Sequence, residues 1–168
     1  MFSVELPEVL GDTVKAKYML MTGGMPEPDI LSSWEKISAY STEFLTYDYY
    51  LITNPMWNFS IPYKLKHYID VIMQAGILFK FTENGVEGLA KNKKMVCVTS
   101  RGNDYSSGTY MHQFDFQEPY LRSIFGMAGI TDVTFINAQP LDIAAGLTQI
   151  GLEKAKTQVA SVLEDIQK

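Results

Sequence analysis

Alternating strand and helix signals place this chain in the α/β class, with a mostly parallel sheet carrying helices on both faces. Three observations predict it. Tyr49, Tyr50, Leu51, Ile52 and Thr53 form a short apolar run ahead of a helical stretch over 61–73. Met95, Val96, Cys97, Val98 and Thr99 form a second run ahead of a loop and another helical stretch. Val133, Thr134, Phe135 and Ile136 read as a third buried strand, followed by a pattern over 147–166 that suits a closing helix. Repetition of that unit implies parallel strands, and such sheets bind ligands at the carboxyl ends of their strands.

The remaining elements follow in order. Phe2, Ser3, Val4, Glu5 and Leu6 alternate apolar and polar before Pro7, as a half-exposed edge strand does. Glycines and prolines around Gly23, Gly24, Pro26 and Pro28 predict a long connection with a short helix over 12–21. Ser32 or Ser33 is placed to cap a helix that runs through Trp34, Ile37 and Phe44 toward Tyr47. In the closing helix, Leu147, Ile150, Leu152, Val159, Val162, Leu163 and Ile166 fall mostly at helical spacing.

At 168 residues the chain suits a single domain spanning 1–168. A formal charge of -5 offers no broad basic surface, which argues against nucleic acid and anionic membrane as partners. No window reaches the roughly 18 apolar residues of a membrane span. The one cysteine, Cys97, sits in an apolar run and reads as a buried small hydrophobe in a reducing compartment rather than a catalytic thiol, so the expected location is cytoplasmic.

Two loops stand at the ends of the first two predicted strands. The first, Asn54, Pro55, Met56, Trp57, Asn58, Phe59, Ser60, Ile61 and Pro62, is stiffened by prolines yet carries three large apolar side chains. A flat heteroaromatic ligand explains that composition, because it needs an apolar wall at its face and amide groups at its rim, which Asn58 can supply. Packing of Trp57 and Phe59 into the core or a subunit interface explains it equally well. The second loop, Thr99, Ser100, Arg101, Gly102, Asn103, Asp104, Tyr105 and Ser106, has small residues where backbone can approach a ligand; it also reads as an ordinary turn with a solvated Arg101.

The segment from Pro55 to Pro62, with Leu65, Lys66, Tyr68, Ile69 and Asp70, resembles the flavin-binding loop and helix of the FMN-dependent NADH azoreductase and NAD(P)H quinone reductase family. Ser100, Arg101 and Gly102 match that family's Ser-Arg-Gly-Gly turn, and Asn103 departs from it. The stretches 76–89 and 119–130 extend the resemblance over most of the chain. It implies a flavodoxin-like three-layer sandwich in which Pro55, Met56, Trp57, Asn58 and Phe59 line the isoalloxazine of FMN. Ser100, Arg101, Gly102 and Asn103 then address its pyrimidine edge, with Arg101 placing positive charge near the reduced ring. NAD(P)H is the implied electron donor, a small aromatic quinone or azo compound the acceptor, and a homodimer the implied assembly.

Family members open with a strand and a serine-rich loop that holds the FMN phosphate at a helix N-terminus. No such unit precedes Phe2, so the family's first strand and helix are expected to be absent. Losing those donors weakens FMN binding by several kcal/mol if each charge-assisted bond contributes about 1.5 to 3. Gly23 and Gly24 are a candidate substitute nest. Two readings result: an FMN-dependent oxidoreductase, or a flavodoxin-like remnant that binds flavin weakly or not at all and serves as an interaction subunit. No catalytic acid or base is required of the chain, since the flavin carries the redox chemistry. His67 is expected at a surface or interface, and His112, beside Tyr110, Phe114 and Phe116, near an acceptor site or in the core.

Overall fold

The computed structural model describes residues 5–166. Its helices are α1 (Gly11–Met21), α2 (Pro28–Leu45), α3 (Tyr63–Ile72), α4 (Glu118–Ala128) and α5 (Ala145–Ile166). The strands are β1 (Tyr49–Pro55), β2 (Phe79–Thr82), β3 (Gly85–Gly88), β4 (Lys94–Ser100) and β5 (Asp132–Ala138). The strand-helix alternation expected from 49 onward is present. Of the predicted edge strand, Phe2, Ser3 and Val4 lie outside the described residues, and the buried Leu6 sits in irregular chain. Among the described residues no helix is long and apolar enough to cross a membrane. By its internal contacts the chain divides into two compact units, each assembled from several segments.

One unit comprises 1–48, 63–92 and 126–130. There α2 buries Ile37, Ser41 and Phe44 at helical spacing, and α3 buries Leu65, Ile69, Val71 and Ile72. The serine cap expected for α2 is not formed. Pro28 starts the helix a turn earlier because its fixed φ is already helical, and Ser33 bonds back to the Asp29 carbonyl inside the first turn. The antiparallel hairpin β2–β3 ends at Gly88, where a Cβ would stand 2.2 Å from the backbone nitrogen of Gly129.

The other unit comprises 49–62, 93–125 and 131–168 and contains the main sheet. Its order is β1–β4–β5, all parallel, with Ile52 opposite Cys97 and Cys97 opposite Phe135. Met95, Cys97 and Thr99 alternate inward along β4. The closing helix expected over 147–166 is present as α5; in it Leu147, Ile150, Leu152, Val159 and Leu163 are exposed, whereas Gly151 and Ala155 are buried. Small residues face β5 because the approach is close; a Cβ at Gly151 would lie 2.7 Å from the Gln139 carbonyl oxygen. Val162 does pack on the cluster of Ile136, Ala138 and Ala155, and the side chain of Ile166 lies outside the described set.

Candidate functional site

Parallel register carries the carboxyl ends of β1 and β4 to the same level, with Pro55 opposite Ser100. Both candidate loops leave the sheet there. Immediately beyond the strands, the Met56 N–H donates to the Ser100 carbonyl at 2.8 Å, so the loops are joined at their roots. The first loop then closes on itself: Trp57 and Ser60 exchange backbone hydrogen bonds of 2.9 and 3.0 Å around Asn58 and Phe59. Those two residues have φ of 47° and 68°, the pair of left-handed conformations that a two-residue turn of this hand requires. For Asn58 this is ordinary, but for Phe59 it costs about 1 to 3 kcal/mol, and strain of that kind collects at functional sites.

The turn presents its aromatic side chains outward. Trp57 is 46% exposed and Phe59 41%, and neither is plugged into the core. Phe59 stacks on Phe114 at 5.3 Å between centroids, and Phe114 meets Tyr110 edge-on at 5.9 Å. The Phe116 N–H donates to the Phe59 carbonyl at 3.0 Å, which fastens the tip of the loop to the segment ahead of α4. Pro55 and Met56 are half-buried, and Asn58 is exposed.

In the second loop Ser100 and Asn103 are exposed and Gly102 is half-buried. The Arg101 N–H donates to Ala138, and the Arg101 and Gly102 carbonyls accept from Leu141 and Asp142, which pins the turn to the chain after β5. Asn103 does not occupy the left-handed region, so the turn makes no demand for glycine there. The Arg101 side chain overturns the solvated alternative. It is 1% exposed, with Nη1 2.8 Å from Asp115 Oδ2 and Nε donating to Gln117 Oε1 and Thr99 Oγ1, each at 3.0 Å. Its positive charge is therefore directed into the protein. Asp115 Oδ1 also accepts the N–H groups of Gln117 and Glu118 at the start of α4.

Asp115 and Gln117 were not among the residues expected at the site from the sequence. The available signal was an aspartate shortly before the Glu118-Pro119 helix start, a capping arrangement with proline in the first turn. Gly23 and Gly24 do not form an anion nest: their N–H groups donate to Leu20 and Met19 and close the C-terminus of α1. His67 Nε2 donates to the Pro7 carbonyl at 2.9 Å, and the exposed His112 uses Nδ1 to donate to Tyr105 at 3.0 Å, so both are structural contacts. Cys97 is fully buried, which pushes its thiol up to about 12 and agrees with an inert core role. Among the described residues no group of side chains could hold a metal ion.

The sequence profile of the Flavodoxin_2 family, described as a flavodoxin-like fold, matches residues 6–163. The chain belongs to that family. Among curated relatives of this flavodoxin-like chain, the FMN-dependent NADH:quinone oxidoreductase of Nitratidesulfovibrio vulgaris is 36% identical over 83% of this chain and 66% of its own length. That of Hyphomonas neptunium is 46% identical over 68% of this chain and 54% of its own. The chain thus spans between about half and two thirds of these relatives. Among solved structures, an FMN-dependent NADH-azoreductase from Bacillus anthracis in complex with FMN superposes with a TM-score of 0.88 at 25% identity, over 99% of this chain and 78% of that one. The flavodoxin-like α/β fold with a parallel sheet is therefore established for this chain.

Proposed function

We propose that the chain, acting as one flavodoxin-like domain, binds FMN between its first and second loops and transfers two electrons from NADH to quinones, azo compounds or similar flat acceptors. The observation that carries this reading is the joining of the two loops through Met56 and Ser100, with Trp57 and Phe59 held outward beside the junction. A core-packing role for these aromatics would have left them buried. The relatives named for FMN-dependent NADH:quinone oxidoreduction, and the azoreductase that holds FMN, support the same assignment.

The residues fit an isoalloxazine by their chemistry. Trp57 and Phe59 offer apolar surface to a planar ring, and Phe114 supports Phe59 by stacking on it. Asn58 contributes an amide, and Ser100, Gly102 and Asn103 contribute hydroxyl, backbone and amide groups to the polar edge. Arg101 contributes through its backbone alone, since its guanidinium is engaged inside. When bound, the flavin supplies hydride acceptance and electron donation; the chain binds, orients and shields the reacting edge.

We read the protein as cytoplasmic on the strength of its single buried thiol, and as a homodimer because Trp57, Phe59 and Tyr110 leave large aromatic side chains exposed. The test is NADH consumption by the purified chain with FMN and a soluble quinone. Oxidation of NADH that requires all three supports the assignment; no turnover despite bound FMN refutes it.

A further inference from the structure

Gln117 is fully buried, and both ends of its side-chain amide are in use. Its Oε1 accepts from Arg101 Nε at 3.0 Å, while Nε2 donates to Asn54 Oδ1 at 2.7 Å and to the Pro55 carbonyl at 3.0 Å. The orientation is fixed by chemistry, not by choice. Arginine has only donors, so the oxygen must face it, and a backbone carbonyl only accepts, so the nitrogen must face Pro55. Asn54 and Pro55 open the first loop, and Arg101 lies in the second. Thr99 and Asn137 continue the chain of bonds in one direction: Arg101 Nε donates to Thr99, Thr99 to Asn137 Oδ1 at 2.7 Å, and Asn137 Nδ2 to Glu118 at 2.9 Å.

We propose that Gln117 is a positioning residue that sets the distance between the two loops, with one side-chain amide holding the root of the first loop by its nitrogen and the Arg101 turn by its oxygen. The inference rests on the flavin reading of those loops. It is directional: the first loop depends on the amide donors and the second on the amide acceptor. Leucine at 117 removes both functions. Glutamate at 117 keeps an acceptor for Arg101 but, being ionised beside a guanidinium, has no hydrogen to give to Asn54 or Pro55.

The experiment measures amide hydrogen exchange by NMR and FMN affinity by titration for the wild type, Gln117→Leu and Gln117→Glu. The first loop is followed at Met56, Trp57 and Ser60, and the second at Arg101, Leu141 and Asp142, all of which are hydrogen-bonded N–H groups. Gln117→Glu is expected to accelerate exchange about tenfold at the first loop alone, the loss of a buried donor bond, and to weaken FMN about tenfold. Gln117→Leu is expected to accelerate both loops. First-loop protection in Gln117→Glu equal to the wild type overturns the proposal, as does uniform acceleration across β1, β4 and β5, which would mark general destabilisation. If the wild type takes up no FMN, the flavin reading fails, and the loop-selective exchange still decides the role of Gln117.

Discussion

Met56, the residue after β1, and Ser100, the last paired residue of β4, are joined by a 2.8 Å backbone hydrogen bond. Through that bond the parallel register determines where the two loops stand, and the outward turn of Trp57 and Phe59 follows from the tight closure at Trp57 and Ser60. The consequences can be measured residue by residue.

Arg101→Met should destabilise the fold by about 3 to 5 kcal/mol, because it leaves the Asp115 carboxylate, only 7% exposed, without its cation. Asp115→Ala should also be costly, and the double variant should lose less than the sum of the singles. Urea unfolding in a double-mutant cycle checks this; strict additivity would mean that the pair contributes no coupling.

Phe59→Gly should leave stability within about 1 kcal/mol of the wild type, since relief of a left-handed phenylalanine offsets the loss of the stack on Phe114. FMN affinity should nevertheless fall. Parallel thermal melts and flavin titrations separate the effects, and unchanged affinity would remove Phe59 from the site.

Gly88→Ala should destabilise by about 2 kcal/mol or more, because the added Cβ meets the backbone of Ala128 and Gly129 within 2.5 Å and backbone cannot yield cheaply. Gly126→Ala, inside α4 with no heavy atom within 4 Å of the new Cβ, should stabilise by about 0.5 to 1 kcal/mol. Opposite shifts in the urea midpoint are expected; shifts of the same sign contradict the packing described.

Cys97 should resist thiol reagents in the native protein. Burial pushes its thiol up to about 12, so at pH 8 the reactive thiolate is about three orders of magnitude scarcer than for an ordinary cysteine. Labelling with a chromogenic disulfide should appear only on unfolding in denaturant; rapid native labelling would show the β4 environment to be open.

Much of this was legible in the sequence because strand and helix periodicities are local. The Tyr49, Met95 and Val133 runs and the aromatic loop between Asn54 and Pro62 declare themselves within a few residues. What stayed hidden depends on distant partners. The burial of Arg101 requires Asp115 and Gln117, more than a dozen residues away, and no spacing rule links them. The closing helix was legible from its spacing, but its buried face was not, because close approach to Gln139 at Gly151 puts small residues rather than large apolar ones against the sheet. Pro28, rather than a serine, started α2 because ring geometry fixes φ without needing a side-chain bond.

The most direct measurement is equilibrium titration of the purified wild-type chain with FMN, read by the visible flavin spectrum alongside Trp57→Ala. The wild type is expected to perturb the flavin spectrum and saturate near one equivalent per site, and Trp57→Ala to bind markedly more weakly. A wild type that leaves the flavin spectrum unchanged up to saturating FMN, or a Trp57→Ala variant that binds as tightly as its parent, would contradict an isoalloxazine seated against the first loop.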